Sequence, residues 1–120
     1  MPVDAIISKI KAHPAYDRVG MILCHNGVVR STSRDGRQVT GLRVKVDRDQ
    51  LARVLAEQRS RPGIIDIQVE IAADTDLSVG DDVMVLAVAG DIRENVIDTL
   101  TDTLNAIKGT VTAKTEYFTE

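Results

Sequence analysis

The sequence predicts an α+β domain with a mainly antiparallel sheet and two principal helices. The clearest indication is the stretch 77–109, where an uninterrupted apolar run at 83–88 is typical of a strand buried on both faces. Beyond it, apolar residues recur at helical spacing from Ile92 to Ile107, which predicts an amphipathic helix. A second helix is predicted at 47–61, followed by an alternating strand at Ile64–Ile71. The order ββαββα, with possible extra strands at the ends, has a ferredoxin-like arrangement as its generic form.

The first half of the chain begins with a segment that fits two structures. Residues 3–12 match either a short amphipathic strand or a short helix. Residues 19–29 predict a strand, in which Gly27 suggests a bulge or a close backbone approach. The pair Asp35-Gly36 predicts a hairpin turn that leads into a half-exposed return strand at Val39–Val46. The apolar face of that return strand consists of Leu42, Val44 and Val46.

The second half carries the signals for strand faces and helix ends. In the strand Ile64–Ile71, alternation predicts that the apolar side chains face inward and that Asp66 faces outward. Asp91 is predicted to cap the last helix, with Glu94 completing a capping box. Lys108 is expected in the last turn, with Gly109 as the residue that ends the helix. The β-prone residues that follow predict a final strand or an arm.

Composition restricts the class of protein. A chain of 120 residues fits one domain, 1–120, and its core must be aliphatic because it contains one Phe and no Trp. The net charge of −3 argues against a nucleic-acid scaffold. The single cysteine, Cys24, excludes an internal disulfide framework and agrees with a reducing compartment. The sequence shows neither a long apolar run nor a signal-peptide core, so we expect no membrane association and a cytoplasmic location.

The usual metal-binding and nucleophilic motifs are not found in the sequence. His13, Cys24 and His25 lack the spacing of metal ligands, so no metal or other cofactor is expected. Cys24 is interpreted as a core thiol, and His25 as a surface or hydrogen-bonded strand residue. Adjacent acids at 81–82 indicate a turn before a strand. No serine lies in a nucleophile-elbow context.

The positive charges are more informative. Three arginines cluster around the predicted hairpin: Arg30, Arg34 and Arg37. Arg93 lies in the first turn of the last helix, where backbone N–H groups already favour anions. Lys108 and Lys114 follow at the other end of that helix. Spacing alone leaves two interpretations open, a cationic pocket for an anionic ligand or a set of solvated side chains.

Four motifs occur in a fixed order: V-G-M-I-L…G-V-V-R, D-G-R-Q-V-T-G-L, L-S-V-G-D-D-V-M-V-L-A-V-A-G-D-I-R and N-A-I-K. Their order and separation over residues 19–116 resemble those of the large, catalytic subunit family of molybdopterin synthase. Gly27 and Arg30 match a G-x-V-R segment, with His25 in place of the family's phenylalanine. Arg93 matches the arginine of a histidine-arginine pair, and Ile92 replaces the histidine.

The same resemblance extends to the lysines. Lys108 matches a helix-end lysine that is implicated in catalysis, and Lys114 matches the lysine of a W-K-x-E segment. An earlier histidine-arginine pair of the family is replaced by alanines at 72–73. The resemblance therefore implies catalytic roles for Lys108 and Lys114, and binding of substrate anions by Arg30, Arg37 and Arg93.

The family reaction moves sulfur from the thiocarboxylated Gly-Gly tail of a small ubiquitin-like subunit onto cyclic pyranopterin monophosphate, forming molybdopterin. The resemblance thus implies a homodimeric sulfurtransferase of molybdenum cofactor biosynthesis, whose partners are that sulfur-carrier subunit and the pterin phosphate. Two alternatives stay open. One is a divergent, non-catalytic dimeric module that binds a partner or an anion. The other is a small ferredoxin-like oligomerisation domain with solvated arginines.

Overall fold

The computed structural model describes residues 3–119, which contain three helices and six strands. The helices are α1 (Val3–Lys11), α2 (Arg48–Arg59) and α3 (Arg93–Ala106). The strands are β1 (Met21–Val28), β2 (Val39–Val46), β3 (Ile64–Ile71), β4 (Asp76–Ser78), β5 (Asp82–Gly90) and β6 (Thr112–Phe118). A 3-10 turn at Tyr16–Arg18 and a single π-helical turn at Ile107–Val111 complete the structure.

The predicted α+β class with antiparallel sheets is confirmed. The ambiguous first segment is a helix, and the last segment is a strand paired with β2. Over residues 3–119, no helix is both long enough and apolar enough to cross a membrane.

The strands form two three-stranded sheets rather than the one sheet of the generic ferredoxin-like order. The first sheet has the order β1-β5-β3, and the second has the order β4-β2-β6. The predicted hairpin between β1 and β2 is wrong in extent. Gly36 does form a turn, with φ of 86°, but this turn closes only one bridge between Thr32 and Gln38 before the strands part. They part because β1 covers an edge of β5, which is apolar on both faces.

The central strand β5 separates two apolar layers. Met84, Leu86 and Val88 point into the main core, where they pack beneath α3. On the opposite face, alternate residues of β5 pack with Ile6 and Ile10 of α1. The prediction that this strand is buried on both sides is therefore confirmed. The second sheet adds the predicted apolar face of β2 to the main core.

The predicted outward orientation of Asp66 is wrong. A register shift between Ile64 and Asp66 turns this side chain inward, and only 7% of Asp66 remains exposed. Its carboxylate accepts hydrogen bonds from the Ile67 backbone N–H at 2.8 Å and from Gln68 Nε2 at 3.0 Å. Arg59 Nε lies 3.7 Å from Asp66 Oδ1. These contacts compensate the charge for its loss of water.

Both ends of α3 differ from the prediction. The N-cap is Ile92 rather than Asp91, and Glu94 forms an ion pair with Arg93 at 3.5 Å instead of closing a capping box. Asp91 Oδ1 accepts hydrogen bonds from Asn95 Nδ2 at 2.9 Å and the Ile92 N–H at 2.7 Å. These bonds, the first of them most strongly, lower the pKa of Asp91.

At the other end, Gly109 does not end the helix in a left-handed conformation. Its φ is not positive, and it lies inside the π-helical turn that leads directly into β6. The prediction of a terminal glycine is wrong because the chain leaves α3 by widening the last turn rather than by reversing its backbone.

Candidate functional site

A cleft lies where the two sheets separate at one end of the main core. It has a volume of about 610 Å³ and is called the inner cleft below. Its apolar lining includes Leu42, Val44, Ile71, Val83 and Met84. Its polar and charged lining comprises His25, Arg34, Lys108, Thr112 and Lys114.

A smaller space of about 260 Å³, the outer cleft, adjoins the first. The two spaces share Val28, Arg34, Leu42, Lys108 and Lys114. The outer cleft is more polar, because Arg30, Ser33 and Glu116 contribute to its lining. A ligand that occupied both spaces would meet apolar side chains on one side and several cations on the other.

Lys108 is positioned by the π-helical turn. Ile107 and Val111 are buried and anchor the two ends of the turn, which leaves Lys108 exposed between them. The Thr110 hydroxyl donates to the Ala106 carbonyl at 2.7 Å, and the Asp47 N–H donates to the Val111 carbonyl at 2.9 Å. The ammonium group is therefore held at the cleft by a fixed backbone. Isolated π turns of this kind are frequent at functional sites.

Lys114 reaches the clefts from β6. Its register partner is Val44 of β2, and its Nζ lies 4.0 Å from Glu116 Oε1. Lys108 and Lys114 therefore line both clefts from two consecutive elements, the turn and the strand that follows it. The two lysines predicted from the resemblance are thus together at one site.

Arg30 follows the end of β1 and lines the outer cleft. Its neighbour Val29 is buried and fixed by two backbone bonds, from the Val29 N–H to the Asp81 carbonyl at 2.9 Å and from the Gly80 N–H to the Val29 carbonyl at 2.8 Å. The adjacent acids at 81–82 thus lie where a turn leads into β5, and Asp82 is the first residue of that strand. This agrees with the interpretation from the sequence.

The hairpin arginines separate in the structure. Arg34 lines both clefts. Arg37, predicted as an anion-binding residue, instead places its guanidinium 3.7 Å from the centroid of the Phe118 ring. This position is outside the lining of either cleft. The sequence showed the cluster of arginines but not which of them the turn directs toward the lysines.

Arg93 is also remote from the clefts of its own chain. It begins α3, whereas Lys108 follows the end of that helix. A helix of 14 residues is about 21 Å long, which is farther than the two side chains can bridge. The Arg93 side chain is 78% exposed and pairs with Glu94. The structure therefore brings together Arg30, Lys108 and Lys114 but not Arg93.

His25 is the site residue that sequence reasoning missed. It lies half-buried in the inner cleft, and burial together with the positive charge of Lys108 lowers its pKa. The neighbouring Cys24 points toward α1, where it packs against the second apolar layer, and burial raises the pKa of its thiol. Across residues 3–119, no cluster of three or more potential ligands could hold a metal ion.

The fold thus places several cations beside an apolar wall, an arrangement that suits an anionic ligand. A family model described as "MoaE protein" matches residues 2–110. The chain belongs to the MoaE family, the large subunit of molybdopterin synthase, and its function lies in molybdenum cofactor biosynthesis. The matched range includes Lys108 but ends before Lys114.

Solved structures show the same fold at low sequence identity. Molybdopterin synthase from Staphylococcus aureus has a TM-score of 0.73 at 20% identity, covering 87% of this chain and 78% of that one. The molybdopterin cofactor biosynthesis protein E from Burkholderia multivorans has a TM-score of 0.78 at 18% identity, covering 99% and 86%. A chain of the complex of subunits 1 and 2 of molybdopterin-converting factor from Helicobacter pylori has a TM-score of 0.72 at 11% identity, covering 100% and 85%. Among curated protein sequences, none matches this chain.

Proposed function

We propose that this chain is the catalytic subunit of a molybdopterin synthase. It transfers sulfur from the thiocarboxylated Gly-Gly tail of a small carrier subunit to cyclic pyranopterin monophosphate. The observation that carries this proposal is the convergence of Arg30, Lys108 and Lys114 on adjoining clefts. Arg34 adds a fourth cation to the same surface.

The lining of the clefts suits both substrates. Apolar side chains such as Leu42 and Met84 offer a surface for a pterin ring system, while Arg30 and Arg34 offer hydrogen bonds to its phosphate. A Gly-Gly tail has no side chains and can enter a narrow opening as extended backbone. Lys108 then stabilises the negative charge that develops on the tail carbonyl oxygen when a nucleophile adds to the acyl carbon, before the bond to sulfur breaks.

The carrier subunit is the expected partner. A structure of similar fold from Helicobacter pylori is a complex of two subunits of molybdopterin-converting factor, which supports such an assembly for this chain. Both partners and the reaction belong in the cytoplasm under this proposal. The chain is expected to act as a homodimer.

In a dimer, Arg93 can act at a cleft, which it cannot do within a single chain. Because Arg93 is about one helix length from Lys108, it contributes to a cleft only from the second copy. Ile92 and Ile97 are exposed beside it, at 55% and 45%, and supply apolar surface for contact with another copy.

One observation favours a second candidate function, that of a non-catalytic binding module. Ile92 occupies the position at which the resemblance expects histidine, so a polar group of the reaction site is replaced by an apolar one. Such a module binds the carrier tail through the same cations without transferring sulfur.

A reconstituted reaction distinguishes the two. The purified chain is mixed with thiocarboxylated carrier subunit and cyclic pyranopterin monophosphate, and both the complex and the product are measured. The catalytic proposal expects molybdopterin. A stable complex without product supports the binding module instead, and absence of both contradicts each proposal.

A further inference from the structure

The inward face of β1 changes from core to cleft along its length. Met21 and Leu23 pack against the main core, and the next two residues of the same face, His25 and Gly27, line the inner cleft. Side chains two positions apart on a strand share a face, so the imidazole continues a row of core residues into open space. Its place in the cleft is set by the strand rather than by a loop.

The imidazole ring of His25 has open space beside it and, among the described residues, no competing hydrogen-bond partner. A Cβ atom placed on Gly27 would lie 3.2 Å from His25 Nε2, so the glycine keeps the space beside this nitrogen open. Within the described residues 3–119, no donor or acceptor forms a hydrogen bond with the ring. A solvent molecule or a ligand in the cleft can therefore take that position.

The surroundings keep the imidazole neutral. The charged groups that face the inner cleft are Arg34 from the loop after β1, Lys108 from the π-helical turn and Lys114 from β6. Glu116 lies in the outer cleft, beside Lys114. Burial and the charge of Lys108 place the pKa of His25 below its usual value near 6.5, so a free lone pair is available at neutral pH.

The proposed reaction consumes one water molecule, and a base beside this water would speed its attack. Once the sulfur of the tail has bonded to a carbon of the pterin and displaced an oxygen substituent from it, the carrier remains attached as an acyl thioester. Its release needs the oxygen of one water molecule, which bonds to the acyl carbon. The carbon–sulfur bond then breaks, and its electron pair leaves on sulfur. The products are a carrier carboxylic acid, which ionises, and a pterin thiol, and the water supplies both the oxygen and the proton.

We propose that His25 is the general base for this hydrolysis. The neutral imidazole accepts one proton from the attacking water and returns it to the departing thiolate, while Lys108 stabilises the oxyanion formed between these steps. The inference rests on the proposed sulfur transfer. It adds a catalytic residue at the position where the resemblance expects phenylalanine, which cannot accept a proton.

The test compares the wild-type protein with His25→Phe in a single turnover, followed by intact mass. The expected result is a covalent carrier–pterin adduct that accumulates in the variant, with release of the free carrier slowed about 10²-fold or more. The wild-type release rate should fall as the pH drops through the lowered pKa of His25, because the base becomes protonated, and the variant should lack this dependence. His13→Phe, which changes the histidine outside the clefts, serves as the matched control.

The outcomes separate the two proposals. Equal release rates and equal pH profiles for wild type and His25→Phe overturn the role of His25 while sulfur transfer stands. A wild-type protein that forms no product overturns sulfur transfer and the role of His25 together. If His25→Phe does not fold, His25→Gln takes its place, since it keeps a polar side chain that is a far weaker base than imidazole.

Discussion

Arg93 and Lys108 lie at opposite ends of α3, about 21 Å apart along the helix axis. The resemblance assigns both residues to one reaction, yet one chain presents only Lys108 to its cleft. Both residues can act at one site if each cleft of a dimer contains Lys108 from one chain and Arg93 from the other.

Mixing variants tests this shared site. Arg93→Ala and Lys108→Ala should each be inactive alone, because every cleft then lacks one cation. When the two are co-expressed, half of the dimers are mixed, and each mixed dimer contains one complete site. Activity should therefore return to about a quarter of the wild-type value. Full activity of Arg93→Ala alone would instead show that Arg93 is not part of the site.

Lys108→Ala should strongly slow the formation of molybdopterin with little loss of stability. The side chain is exposed and the turn is anchored by its buried neighbours, so the free energy of unfolding should change by less than about 0.5 kcal/mol. Removal of a cation from the developing oxyanion should lower the turnover rate by about 10²-fold or more. Lys9→Ala on α1 is the matched control, because it removes an exposed lysine from the other side of the first sheet. A Lys108→Ala protein that unfolds would mark this lysine as structural.

The same pair of variants tests the electrostatic link between Lys108 and His25. Lys108→Ala should raise the pKa of His25 toward 6.5, since it removes the second of the two causes that lower it, while Lys9→Ala should not. An NMR titration of the imidazole measures this directly. Because the folded-state pKa lies below that of the unfolded chain, His25 favours folding above about pH 6.5, and this contribution is lost as the pH falls through the folded-state value. An unchanged titration in Lys108→Ala would contradict the arrangement.

Gly109→Ala tests how α3 ends. A Cβ on Gly109 meets no atom within 4 Å and the residue has no positive φ, so alanine should stabilise the protein by up to about 1 kcal/mol. Gly20→Ala is the contrasting variant, because its Cβ would fall 2.1 Å from the Asp91 carbonyl oxygen and should destabilise the fold. Urea unfolding compares them. Destabilisation by Gly109→Ala would contradict this conformation and support the left-handed helix end that the sequence predicts.

Local patterns predicted the elements well, and tertiary placement explains the errors. The burial of β5 on both faces and the helical spacing of α3 depend only on residues that are close together in the sequence, so both were predictable. Asp66 was misplaced because a one-residue shift in register reverses the faces of a strand, and alternation cannot reveal such a shift. The separation of β1 and β2 into two sheets depends on β5, which lies far along the chain.

The lining of the clefts was also predicted only in part, because it depends on tertiary placement. Lys108, Lys114 and Arg30 follow from motifs whose order resembles a family, and the structure places them on adjoining clefts. His25 had a usable signal, since it shares a face with Leu23, but the sequence does not show where the core ends and the cleft begins. The choice between Arg34 and Arg37 depends on the conformation of a short turn.

The central claim is that this chain transfers sulfur at the clefts between its two sheets. The most direct measurement uses a carrier subunit whose thiocarboxylate contains radiolabelled sulfur, mixed with the wild-type protein and cyclic pyranopterin monophosphate. The label should move from the carrier to free pterin product in the wild-type protein, whereas with Lys108→Ala it should remain covalently attached to the carrier. Label that stays on the carrier with the wild-type protein, although the two proteins form a stable complex, would contradict this claim.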